Sequence, residues 1–118
     1  MKAEKWDWLI TVTESLVNVA PEKPRGWILR SYDLHKLRRT EEAFDLLLPV
    51  GEKFSREWII PYNLACYCAQ LGRLEQSREW FKKSLAIDEK NARAAAIFDP
   101  DLEPLLDSMS GTFWKRCE

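Results

Sequence analysis

The sequence predicts an all-α fold built as a stack of antiparallel helical hairpins, and three observations predict it. Turn-forming residues fall in few places and leave helix-length segments between them. No segment alternates apolar and polar residues between turn formers, as a half-buried strand would. The chain also matches itself when shifted by 34 residues.

The turn formers sit at Ala20-Pro21 to Gly26, Ser55-Arg56, Leu71-Gly72, Asp88 to Asn91, Asp99-Pro100 and Ser108 to Gly111. Residues 3–19 come first and place Trp6, Leu9, Ile10, Leu16 and Val17 at helical spacing with Thr, Glu and Asp between them, which predicts an amphipathic helix. The same reasoning predicts helices over residues 26–37, 40–54, 57–70, 74–87 and 91–98, and a short one over 101–108. Asp99, Asp101 and Glu103 flank Pro100 at the start of that short helix, where acidic residues cap free N–H groups and complement the helix dipole.

The 34-residue shift lays Leu37-Arg38-Arg39-Thr40-Glu41-Glu42-Ala43 on Leu71-Gly72-Arg73-Leu74-Glu75-Gln76-Ser77, and also Ser31 on Ala65, Ile28 on Tyr62 and Leu47 on Phe81. Small residues at Ser31/Ala65 and Ala43/Ser77 let the two helices of a hairpin approach closely, and Leu47/Phe81 fill the space beside them. Each unit therefore reads as a helical hairpin.

At these positions the chain resembles the tetratricopeptide repeat (TPR) family, whose 34-residue unit has the loose pattern W-x2-L-G-x2-Y, A-x3-F, P. Trp27 opens one unit, Leu64-Ala65 stand at the L-G positions of the next, and Ala43-x3-Leu47 and Ser77-x3-Phe81 match the A-x3-F element. Pro61 replaces the opening Trp of the second unit, Arg30 replaces Leu, Cys68 replaces Tyr, and Ser55 and Glu89 replace the final Pro. The resemblance implies a right-handed superhelical α-solenoid in one domain over residues 1–118. Residues 3–19 would be a partial repeat, 24–57 and 58–91 full repeats, 92–108 a shortened last unit and 109–118 a tail.

The resemblance also implies a function, the binding of another protein or peptide in a concave groove lined by the first helix of each hairpin. Groove positions carried onto this chain are Arg25, Ile28, Leu29, Tyr32, His35 and Lys36 in the first full repeat. The second contributes Tyr62, Asn63, Cys66, Ala69 and Gln70, and Arg93 begins the last unit. Arg25, Lys36 and Arg93 have the chemistry to bind a carboxylate or acidic segment, and equally to form a solvated face. Tyr32, Tyr62 and Ile28 are also candidates for burial under the N-terminal helix. Asn63 and Arg93 fall on positions used by carboxylate-clamp members of the family, but Ile28, Tyr32 and Ile97 occupy other clamp positions, so a complete clamp is not expected.

The residues give little support to other chemistry. One histidine, His35, cannot build a His-based metal cluster, and Cys66 and Cys68 point to different sides of a helix, so no metal is expected. The four glycines are scattered, which excludes a phosphate loop, a dinucleotide fingerprint and a nucleophile elbow. A Cys66/His35 pair lacks a recognisable oxyanion donor set or orienting acid. Neither a catalytic residue nor a cofactor is therefore expected. The net charge of −1 gives no general attraction to a phosphate backbone or an anionic membrane, so neither nucleic acid nor membrane is an expected partner. No signal peptide is visible, the apolar runs fall far short of the ~20 residues that cross a bilayer, and the odd cysteine count argues against a disulfide framework. A cytoplasmic location is the expectation. Of six tryptophans, Trp27, Trp58 and Trp80 suit inter-helix packing. Trp6 and Trp8 lie on different helix faces, and Trp114 in the tail has no repeat position. Aromatic residues at the ends of a solenoid suggest a capping partner, a tail folded back on the last helices, or homo-oligomers assembled end to end through Trp8 and Phe113-Trp114.

Overall fold

The computed structural model describes residues 23–108; the expected helix over 3–19 and the tail 109–118 lie outside the described residues. Among the described residues there is no strand. The elements are α1 (Pro24–Lys36), α2 (Thr40–Lys53), α3 (Ile59–Gln70), α4 (Leu74–Ile97), a 3-10 turn (Pro100–Leu102) and α5 (Glu103–Ser108). Each packs on its neighbours in sequence order, α1 with α2, α2 with α3 and α3 with α4, as an all-α repeat array requires.

The two hairpins follow one plan. Pro24 starts α1, where a missing N–H costs nothing, and Glu41, Glu42 and Glu75 place acids in the first turns of α2 and α4. Each first helix ends in the same capping geometry. The Arg39 N–H donates to Leu34 O and that of Arg38 to His35 O, while the Arg73 N–H donates to Cys68 O and that of Gly72 to Ala69 O. These paired bonds form a Schellman motif, which places one residue in the left-handed region. The residues there are Arg38 (φ 66°) and Gly72 (φ 79°), 34 positions apart.

The small residues predicted at the helix crossings are all fully buried, Ser31, Ala43, Ala65 and Ser77 at 0% exposure, with Leu47 and Phe81 beside them also at 0%. The Ser77 hydroxyl donates to the Ala65 carbonyl at 2.6 Å, so the two helices of the second hairpin touch at their paired small positions. Ser31 Oγ meets Tyr67 Oη at 3.0 Å, tying α1 to α3 across 36 residues. At the α2–α3 joint, a Cβ on Gly51 would stand 3.1 Å from Ile60 Cγ2, so the chain passes too closely there for a larger residue to enter freely.

The sequence places separate helices over 74–87 and 91–98, and α4 is one run that breaks between them. Asp88 has φ −152° and ψ 84°, outside helical geometry. Its carboxylate accepts the Asn91 N–H at 3.2 Å and the Asn91 side-chain amide at 2.7 Å. Asp88 thus caps the second limb of α4 and sets its direction.

Candidate functional site

The first helices α1 and α3 and the second limb of α4 present equivalent positions at 34-residue intervals. Arg25, Leu29, Tyr32 and Lys36 recur every three or four residues along α1 and form one exposed stripe. Their equivalents on α3 are Ile59, Asn63, Cys66 and Gln70. On α4 the series continues with Arg93 and Ile97 before the helix ends. One row, Leu29–Asn63–Ile97, is open: Leu29 is 37% exposed, Asn63 half-buried and Ile97 50% exposed. Beside it Tyr32 is 38% exposed, with Lys36 Nζ 5.0 Å from its ring centroid. Ile28 and Arg93 are half-buried, and Arg93 pairs with Glu89 at 3.6 Å.

The remaining rows are covered by the chain itself. The helix stops at Ile97, and the segment Asp99-Pro100-Asp101 swings over α3 where further turns of a first helix would stand. Asp99 Oδ2 accepts from Tyr62 Oη at 2.7 Å and from Cys66 Sγ at 3.6 Å. Asp101 Oδ2 accepts from His35 Nε2 at 3.1 Å and faces Lys36 Nζ at 3.9 Å, while its carbonyl accepts from Gln70 Nε2 at 3.0 Å. Asp99 Oδ1 also caps the Asp101 N–H, the role the sequence assigns to these acids. Leu102, fully buried, pins the turn in place.

These contacts divide the expected groove residues into covered and exposed ones. Tyr62 (5% exposed) and Cys66 (4%) are floor residues over which the acidic turn lies. His35 is spent inside the same network: a carboxylate only accepts, so Nε2 donates to Asp101, while Nδ1 meets Thr40 Oγ1 at 2.9 Å. Arg25, Tyr32, Lys36 and Gln70 remain exposed, and Ala69 is buried. The residues that sequence reasoning missed are Asp99 and Asp101 as the acceptors of this network. Their pairing at separations of 31 to 66 residues leaves no periodic trace.

The electrostatics follow from this geometry. Burial, reinforced by Asp99, pushes the Cys66 thiol well above its ordinary value, and the Tyr62 hydroxyl moves the same way for the same reasons. Cys66 is therefore a neutral donor with no thiolate character. Partial burial would depress Lys36, but its contacts with Tyr32 and with Asp101 and Asp99 outweigh this and raise it. Cys68 lies on the other side of α3, its Sγ 4.0 Å from Gln76 Oε1, so the two thiols do not share a site. Among the described residues no group of three or more His, Cys, Asp and Glu side chains is placed to hold a metal ion. No described helix is long and apolar enough to cross a membrane.

Residues 62–91 match the family model of the tetratricopeptide repeat, from Tyr62 on α3 to Asn91 just past the break in α4. No curated protein matches the chain at a significant level. Such repeats generally mediate protein–protein interaction and are generally non-enzymatic. Residues 62–91 thus match a tetratricopeptide repeat, within an all-α array whose preceding hairpin follows the same plan.

Proposed function

We propose that the chain is a binding module that holds a segment of another protein on its first-helix face, acting as a scaffold or adaptor and not as a catalyst. The open row Leu29–Asn63–Ile97, flanked by Tyr32, carries this reading. It sets two exposed aliphatic residues and an exposed aromatic around one amide at repeat-equivalent positions, the mixture of apolar contact and hydrogen bonding that a peptide needs. Arg25 and Lys36 supply positive charge along the same stripe, which favours a segment with an acidic residue near its apolar contacts. Asp101 already engages Lys36, so Arg25 is the more available cation. The free thiols of Cys66 and Cys68 support a reducing, cytoplasmic setting.

The experiment places a photo-crosslinking amino acid at Tyr32 or, separately, at Lys82 on the outer helix α4, and identifies adducts formed in cell extract. The expected result is a protein adduct through position 32 and none through 82. With that protein purified, Tyr32→Ala should weaken binding by about 1–2 kcal/mol, and Glu75→Ala and Lys82→Ala should leave it unchanged. Loss of binding in the outer-face variants with none in Tyr32→Ala would reject the assignment.

A further inference from the structure

The last described elements leave apolar surface uncovered. Phe98 is 86% exposed and Ile97 50%, side by side at the end of α4. With Ala96, Pro100 and Leu106 they line an open groove of about 310 Å³, bordered by Asp99, Glu103 and Asp107. Glu103 and Asp107 are four residues apart on α5 and so share a face, and both are exposed. Asp99 is already held by Tyr62 and Cys66, which leaves Glu103 and Asp107 as the acids facing solvent at this rim. A lone exposed Phe needs no explanation; adjacent exposed Ile and Phe in an acid-bordered groove, at the end of a repeat array, call for a cover.

The sequence holds a segment of complementary chemistry directly after α5. In residues 109–118, Phe113-Trp114 is followed by Lys115-Arg116, two aromatics and then two cations. Phe113 lies five residues beyond Ser108, a reach of at most ~17 Å, so the aromatics can return to a groove lined by α5 itself. We propose that this groove is the docking site for the chain's own residues 112–116. Phe113 and Trp114 cover Phe98 and Leu106 and leave Ile97 to the open row, and Lys115 and Arg116 face Glu103 and Asp107. The short tether gives the tail an effective local concentration on the order of millimolar, so modest contacts suffice to fill the site. A second copy's tail has the same chemistry without that advantage.

The test compares amide NMR spectra of the full chain and of a chain ending at Gly111, under reducing conditions, with a synthetic peptide of residues 109–118 as probe. Truncation should shift the amides of Phe98, Glu103, Leu106 and Asp107 and leave α1 unchanged, and the peptide should return them toward their full-chain positions. Glu103→Lys with Asp107→Lys in the truncated chain should weaken peptide binding about fivefold to tenfold. A peptide carrying Lys115→Glu and Arg116→Glu should regain affinity for that variant. Unchanged Phe98 and Leu106 amides on truncation would overturn the proposal. So would a full-chain dimer in sedimentation that truncation abolishes, since the groove would then hold the tail of a second copy.

Discussion

Arg38 shows what a single position costs this fold. It occupies the left-handed region at the turn between α1 and α2, where the equivalent residue of the next hairpin is Gly72. A side chain there costs about 1 kcal/mol or more, and glycine avoids most of it. Arg38→Gly is therefore expected to stabilise the protein by up to about 1 kcal/mol, read as a rise in Tm. The reverse lesson applies at the crossing of α3 and α4, where Ser77 is fully buried and its hydroxyl is satisfied by the Ala65 carbonyl. Ser77→Leu should destabilise by about 1–3 kcal/mol, because the added volume has nowhere to go and the helices must part. Chemical denaturation checks both. The thiols add a pH dependence. Burial pushes Cys68 up to about 11, with Arg73 opposing and Glu41 assisting. The unfolded chain loses that proton near pH ~8.5 and the folded chain keeps it. Stability is then complete below the unfolded value and falls as pH rises toward 11. Thermal unfolding followed from pH 8 to about 11 should show a smaller fall in Cys68→Ala than in the parent chain.

Among the elements, α4 is the one whose direction rests on a single carboxylate. Asp88 interrupts the helix and caps its second limb through Asn91, so Asp88→Ala removes two hydrogen bonds at a helix start. A loss of about 1 kcal/mol is expected. Hydrogen exchange should speed up in residues 91–97 before it does in residues 74–87, and equal acceleration in both limbs would contradict a local cap. The break itself was legible in the sequence, because Asp88 to Asn91 carries turn-forming residues between two apolar periods. The hairpins were legible for a related reason: small residues and Leu-Arg turns recur 34 positions apart, and packing demands the same volume at each recurrence. What the acidic turn does was not legible. Asp99 and Asp101 announce a helix start by local pattern, and their local role is as expected. Their second role, accepting from Tyr62, Cys66, His35 and Gln70, depends on where Leu102 anchors the chain, a tertiary fact with no local signature.

At the scale of the molecule, the first-helix face divides into an open part and a covered part. The repeat pattern assigned Tyr32 and Leu29 to the groove and left burial open for Tyr32, and both are exposed. Tyr62 and Cys66 occupy similar spacing one repeat on and are buried, so periodicity alone could not separate them. The difference comes from the turn that follows Ile97, which lies over α3. That turn also decides where the array can be lengthened. A nearest-neighbour stack accepts another unit wherever the joint between repeats is regular. A duplicate of residues 58–91 inserted between Asn91 and Ala92 meets such a joint, and the resulting chain should fold with greater helical content and at least equal Tm by circular dichroism. The same duplicate inserted between Phe98 and Asp99 would part the acidic turn from the second limb of α4 that delivers it, so that Asp99 would no longer be carried back to a Tyr62 hydroxyl. The arrangement thus gives the protein a fixed reading frame for growth: units can be added before the turn but not through it.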